Sequence, residues 1–368
     1  MRKTIYAFAA MFLLTAAIFT SCDKDPVEDP KKNPPTTNEC FGMYEVSTHY
    51  EDISGISFIN ANEGWACVSD DVLGANTSIM HTTDGGKTWA VIAENIATEN
   101  AWLKSFYFIN ETTGFLLSSR FALLGTTDKG VTWKTIYQRW DSSMESAPNG
   151  IASNSTQTIC YLGTTVGKDS IAYISNTTLE VTKTIPKPAQ MNIGSAYHFS
   201  ESGAITFGPV KRPNHNVAEM AYMDASGSMH YTDLSASEAY FHPSTAINFP
   251  SENVGYFVGD ASQTSKNIVY KTTDGGKSWS EIYRLENHGQ KFTFIDFADE
   301  NNGIAGSGSA LGATYKTTDG GHTWERVDCI SDKFISPWNI AYPDVNHLYI
   351  ATPIHPFERG IRFFSYPK

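Results

Sequence analysis

Four aspartates, Asp84, Asp128, Asp274 and Asp319, stand in one repeated phrase: TTDGGKTW (82–89), TTDKGVTW (126–133), TTDGGKSW (272–279) and TTDGGHTW (317–324). Each reads Ser/Thr-x-Asp-x-Gly-x-Ser/Thr-Trp. A carboxylate beside hydroxyls could ligate a metal or move a proton. It could also accept hydrogen bonds from the amides of its own turn. The second reading uses every part of the phrase. The glycine two residues after the Asp tolerates positive φ, the hydroxyls bond locally, and Trp89, Trp133, Trp279 and Trp324 supply apolar plugs between sheets. We therefore read the four aspartates as turn closures and assign no metal and no cofactor.

The spacing names the elements that carry these turns. Asp84 and Asp128 are 44 residues apart, Asp274 and Asp319 are 45 apart, and the gap between the pairs, 146, holds about three such units. A period of this size, with β-type sequence between the marks, indicates a β-propeller. A second mark precedes each phrase: Phe58 and Gly64, Phe108 and Gly114, Phe249 and Gly255, and Phe297 and Gly303, each pair six residues apart. Two degenerate units lie between, without the phrase; Ser175 and Asn176, and Asp224 to Gly227, stand in its place. The last unit, from Ser336, offers three strands, and the orphan segment Phe41–Thr48 supplies a fourth. The expectation is an all-β, seven-bladed propeller over residues 40–368, with Phe41–Thr48 pairing antiparallel to Gly360–Tyr366; six blades is the alternative.

The phrase resembles the Asp-box, or bacterial neuraminidase repeat. This repeat occurs in sialidases, xyloglucanases, sortilin-type receptors and photosystem II assembly-factor-like propellers. With the Phe-to-Gly spacing, the pattern is most similar to the assembly-factor-like branch, whose members are mostly non-enzymatic. The resemblance implies that the box lies between the third and fourth strands of a blade, on the face away from the ligand site. It places loops carrying Arg120, Arg139, Arg212 and Arg359, with Trp102, Trp140 and Trp338, on the opposite face. Arginine forks suit carboxylates and phosphates, and indole faces suit sugars or protein hot spots. A protein or carbohydrate ligand is expected there, bound by a monomer.

The competing expectation is a sialidase-like or other glycoside hydrolase. The family pattern would then require an arginine triad, a Tyr–Glu nucleophile pair and an Asp acid/base. No early arginine motif of that kind is present, since the first Arg after the leader is Arg120. Glu51 or Asp52 could serve as an acid, but no paired carboxylates are legible at the spacing glycoside hydrolysis needs. The binding module is favoured.

The start of the chain carries a separate signal. Arg2 and Lys3 precede an apolar run, Ile5 to Phe19, and then Thr20-Ser21-Cys22. This reads as a secretory leader, residues 1–21, ending in a lipoprotein box in which Cys22 is lipidated. Residues 22–39 are rich in proline and charge and lack aromatics, so they read as a tether. The cluster Asp23, Asp25, Glu28 and Asp29 favours surface export over inner-membrane retention. The expected location is the cell envelope, at the outer membrane. A net charge of −12 with 27 Lys plus Arg argues against nucleic acid as partner. Cys67 and Cys160 read as buried thiols, and a Cys40–Cys329 disulfide is left open.

Overall fold

Every regular element among the described residues is a β-strand, and the strands come mostly in fours. The computed structural model describes residues 42–46, 50–70, 76–97, 103–118, 122–138, 150–162, 170–188, 196–210, 219–234, 239–240, 246–261, 267–285, 292–307, 313–327, 339–355 and 358–366. After β1 (Gly42–Val46), the first sheet is β2 (Asp52–Phe58), β3 (Gly64–Ser69), β4 (Thr77–Thr82) and β5 (Ala90–Ala97). The second is β6 (Leu103–Phe108), β7 (Gly114–Ser118), β8 (Ala122–Thr126) and β9 (Lys134–Gln138). The third is β10 (Ile151–Ser153), β11 (Gln157–Leu162), β12 (Ser170–Ser175) and β13 (Val181–Pro186). The fourth is β14 (Ala196–Phe199), β15 (Ile205–Val210), β16 (Glu219–Met223) and β17 (Met229–Asp233).

The fifth holds β18 (Ala239–Tyr240), β19 (Ile247–Asn248), β20 (Gly255–Ala261), β21 (Asn267–Thr272) and β22 (Ser280–Leu285). The sixth is β23 (Phe294–Phe297), β24 (Gly303–Gly306), β25 (Thr314–Thr317) and β26 (Glu325–Arg326). The last has β27 (Asn339–Asp344), β28 (His347–His355) and β29 (Glu358–Tyr366), and β1 joins its far edge in the order β1-β29-β28-β27. The β1–β29 pairing is antiparallel, from Gly42 opposite Ser365 to Val46 opposite Ile361. Neighbouring strands are antiparallel, and in the first four sheets and the sixth they follow chain order.

The second and third strands of a sheet are apolar along their length because both faces are covered. All of β3 (GWACVS) and all of β7 (GFLLS) are buried. Fourth strands meet water: β13 (VTKTIP) is exposed at nearly every position. The apolar clusters sit between successive sheets. Cys67 and Ile79 pack with Phe106 and Leu116, Leu117 with Ile174, and Ile159 with Phe207. The series continues with Met220 and Ile268, Val258 and Ile295, Ile304 and Ile350, and Tyr349 with Met80. Each fully buried side chain of this size contributes about 1.5–3 kcal/mol. First strands lie against one another, β2 against β6 and β27, and β23 against β19 and β27. Sheets stacked face to face with their first strands adjacent make an all-β propeller.

The fifth sheet carries one more short strand than the others: β19 pairs with Phe257 and Tyr256, while β18 pairs with Asp260 and Ala261 further along β20. The two cysteines expected to be buried, Cys67 and Cys160, are buried free thiols. Burial pushes the Cys160 thiol up to about 12.

Candidate functional site

The four Asp-box turns have one geometry. In the first, Asp84 Oδ1 accepts from Thr82 Oγ1 (2.9 Å) and from the Thr88 amide (2.9 Å), and Oδ2 accepts from Thr88 Oγ1 (2.6 Å). Thr82 Oγ1 in turn accepts from the Gly86 amide at 3.0 Å. Trp89 Nε1 donates to Gly86 O at 3.0 Å. The same five bonds recur around Asp128, Asp274 and Asp319. The glycine two residues after each Asp has φ between +80° and +95°, a region open to Gly at no steric cost. Burial raises each carboxyl, but the hydroxyl and amide donors outweigh it and hold all four below the ordinary aspartate value, Asp319 at about 2. Both oxygens of each carboxylate are committed to the turn.

Each box docks on the turn between the first and second strands of its own sheet. Gly85 N donates to Asn62 O, Lys129 N to Thr112 O, Gly275 N to Asn253 O and Gly320 N to Asn301 O, all within 2.8–3.0 Å. That first turn is closed by an Asx-type cap two residues after the motif Phe: Asn60, Asn110 or Asp299 accepts the next amides. The motif Phe is the hub. Its ring meets the box Trp edge to face: Phe58–Trp89, Phe108–Trp133, Phe249–Trp279 and Phe297–Trp324 have centroids 5.7–6.2 Å apart at 85–90°.

The other face of each Phe ring stacks on the preceding sheet. Phe108 lies 3.8 Å from Trp65, Phe249 4.1 Å from His198, Phe297 3.7 Å from Tyr256, and Phe58 3.9 Å from Tyr349. The tips of those residues then bond across. Trp65 Nε1 donates to Lys129 O (2.8 Å) and Tyr256 OH to Glu300 O (2.6 Å), and Tyr349 OH donates to Ala61 O. His198 Nε2 meets Glu252 O at 3.1 Å. Sequence reasoning missed these clamps, although an aromatic directly after the motif Gly (Trp65, Tyr256) was a readable signal.

The two units without a box close their turns with other residues: in the third sheet Ser175 Oγ accepts the Thr177 and Thr178 amides at 3.3 and 3.2 Å. Asn176 accepts from Thr158 Oγ1 (2.7 Å) and donates to Asn154 O (2.9 Å), and buried Leu179 joins the apolar seam on that side. Asp224 Oδ1 accepts from the Ser226 and Ser228 amides, each at 2.9 Å, and from Ser226 Oγ. Those bonds hold its carboxyl well below the usual range.

Of the residues expected to meet a ligand, only the backbone of Arg359 is among the described residues. Arg120, Arg139, Arg212, Trp102, Trp140 and Trp338 lie outside the described residues, as do Cys22, Cys40 and Cys329. Arg359 is on β29, and its side chain is outside the described set. The described geometry therefore belongs to the box end of the sheets. Among the described residues, no three His, Cys, Asp or Glu side chains are grouped to hold a metal.

Fold and turns together define an Asp-box β-propeller. The chain matches the family described as photosynthesis system II assembly factor YCF48 over residues 37–184 and 228–352, and it belongs to that family. The intervening 185–227 contains β14, β15 and β16, whose sheet lacks the box. Among solved structures, "YCF48 bound to D1 peptide" superposes with a TM-score of 0.59 at 18% identity, covering 91% of this chain and 99% of that one. "YCF48 from Cyanidioschyzon merolae" gives 0.59 at 15% identity, covering 88% and 98%. A streptogramin B lyase gives 0.58 at 12% identity, covering 88% and 97%. At these identities the likeness is one of fold, and the lyase illustrates that this fold hosts unrelated activities. No curated protein matches the chain.

Proposed function

We propose that this chain is a non-catalytic binding propeller that takes an extended protein segment on the face opposite the Asp boxes. One observation carries the reading: the chain belongs to the YCF48 family, and a structure of YCF48 is described as bound to a D1 peptide. The use of the box end supports it. There, box, first turn and neighbouring sheet consume one another's polar groups, so that end is occupied with holding the fold together. By chain order, the segments carrying Arg120 and Arg212 join second to third strands, and those carrying Trp102, Arg139, Trp140 and Trp338 join one sheet to the next; Arg359, expected in such a segment, is instead the second residue of β29. Arginine forks and indole faces suit an acidic peptide with aromatic or aliphatic anchors.

The finer architecture belongs to the same proposal. Seven blades form a closed ring, with β1 as the outer strand of the last. The β1–β29 register and the run of apolar clusters from sheet to sheet, ending in that between Tyr349 and Met80, support it. Residues 1–21 act as a leader, Cys22 carries lipid, and 22–39 tether the propeller at the outer membrane. The Cys22 box and the proline-rich, charged composition support that part.

Site-specific photo-crosslinkers test the ligand reading in native envelopes. Probes replacing Arg120 and Trp338 should capture a polypeptide that a probe replacing Lys277, on a box, does not. Equal capture from all three positions, or adducts that are glycan rather than peptide, would overturn it.

A further inference from the structure

The residue before three of the four motif Phe repeats a task that its sequence does not advertise; before the fourth, Phe108, Tyr107 instead meets Ser153 Oγ through its hydroxyl. Ser57 Oγ accepts the amide of Phe108 on the next sheet at 2.9 Å. Asn248 Oδ1 accepts the amide of Phe297 at 3.2 Å. Asp296 Oδ2 accepts the amide of Tyr342 at 3.0 Å. Its Oδ1 also takes Asn248 Nδ2 (2.6 Å) and the Phe297 amide (3.0 Å). Three donors from β19, β23 and β27 thus converge on one carboxyl. At the equivalent positions a hydroxyl and a carboxamide suffice, so an ionisable group is not a requirement of the joint.

We infer that Asp296 is a proton-responsive joint, whose ionisation retunes the hydrogen bonds holding the first strands of the fifth, sixth and seventh sheets together. Two opposed forces set the balance. Enclosure by protein disfavours the charge, whereas the converging donors favour it. Enclosure wins, and the carboxyl is pushed up to about 7 despite the bonds from Tyr342 and Phe297.

The neighbouring strands β19, β20, β24 and β27 bring it no cation. β19 and β24 carry no ionisable residue. On β27, Tyr342 OH donates to Val345 O, and Asp344 is engaged by the Asn346 amide and His347. On β20, Tyr256 OH is committed to Glu300 O, and Asp260 lies four residues further along, paired with Asn267.

The folded state holds this proton more tightly than an unfolded chain, whose aspartates titrate near ~3.9. The contribution to stability is therefore full below about pH 4 and declines as pH rises towards about 7. The test is a titration of the full chain labelled with 13C-aspartate, following the Asp296 carboxyl together with the Phe297 and Tyr342 amides. The carboxyl should turn over near neutrality, and both amides should shift with the same midpoint. In parallel, the wild-type melting temperature should fall between about pH 5 and pH 7.5 more steeply than that of Asp296→Asn. A carboxyl midpoint in the ordinary aspartate range, or amides that ignore the titration, would overturn the inference. Should Asp296→Asn fail to fold, the wild-type titration decides alone.

Discussion

Gly64 lies directly beneath the ring of Phe58. The two are partners across β2 and β3, and a Cβ added to the glycine would stand 2.6 Å from the ring. The relationship recurs at Gly114, Gly255 and Gly303 beneath Phe108, Phe249 and Phe297, at 2.9, 2.5 and 2.5 Å. The ring cannot retreat, because Tyr349 stacks on its other side at 3.9 Å and Trp89 meets its edge. The six-residue spacing of Phe and Gly is thus a packing rule. Gly64→Ala should destabilise the protein by about 1–3 kcal/mol through overpacking. Urea denaturation measures this, and an unchanged midpoint would refute the wedge.

The boxes should make the protein acid-sensitive. Burial raises the Asp319 carboxyl, but its bonds to Thr323 and Thr317 lower it further, to about 2. A depressed carboxyl contributes stability that is present above the unfolded value, near ~3.9, and is lost as pH falls through the folded one. Asp319→Ala should accordingly lower the melting temperature at neutral pH, and the gap to wild type should narrow towards about pH 2. A gap that stays constant across that range would contradict the hydrogen-bond account.

The closing strand and the tether make separable predictions. Deleting 40–48 should lower the melting temperature sharply, because β29 then offers an unpaired edge along Ile361–Ser365. Deleting 23–39 should leave it nearly unchanged. Calorimetry on the two variants decides, and equal losses would refute the closure by β1.

The anchor is tested independently of the fold. Wild type should partition into the detergent phase on cloud-point separation, and Cys22→Ala should stay in the aqueous phase. A wild type found in the aqueous phase would refute lipidation at Cys22.

Much of the box end was legible because it repeats. A phrase such as TTDGGKTW is tied to local geometry: Asp84 bonds four residues ahead and Trp89 three residues back. Local chemistry of this kind is written in contiguous sequence. Sheets whose turns are closed by Ser175 and Asn176 or by Asp224 were harder to place, since one or two residues replace an eight-residue phrase. The Ser57, Asn248 and Asp296 contacts were illegible for another reason. Their partners lie about 46 to 51 residues away on another sheet, and three different side chains do the same job. The residues Arg120 to Arg359 share no repeated frame, so chain position alone placed them on one face.

Most of the clamps between sheets run in one sense along the chain, the exceptions being the Glu201 and Glu252 carboxylates, which reach back to the Ser155 and Glu201 amides. Trp65 of the first sheet reaches Lys129 of the second, Asn154 of the third reaches Ser200 of the fourth, and Thr206 of the fourth reaches Gly275 of the fifth. Tyr256 of the fifth reaches Glu300 of the sixth, Asp296 of the sixth reaches Tyr342 of the seventh, and Tyr349 of the seventh reaches Ala61 of the first. Most units therefore have a front that grasps and a back that is grasped, as in the head-to-tail contacts of a polymer. Nothing in any one joint encodes how many units there are. A duplicated unit would arrive with its own plug and its own socket, so such a chain can lengthen or shorten by whole units and leave each junction chemically complete.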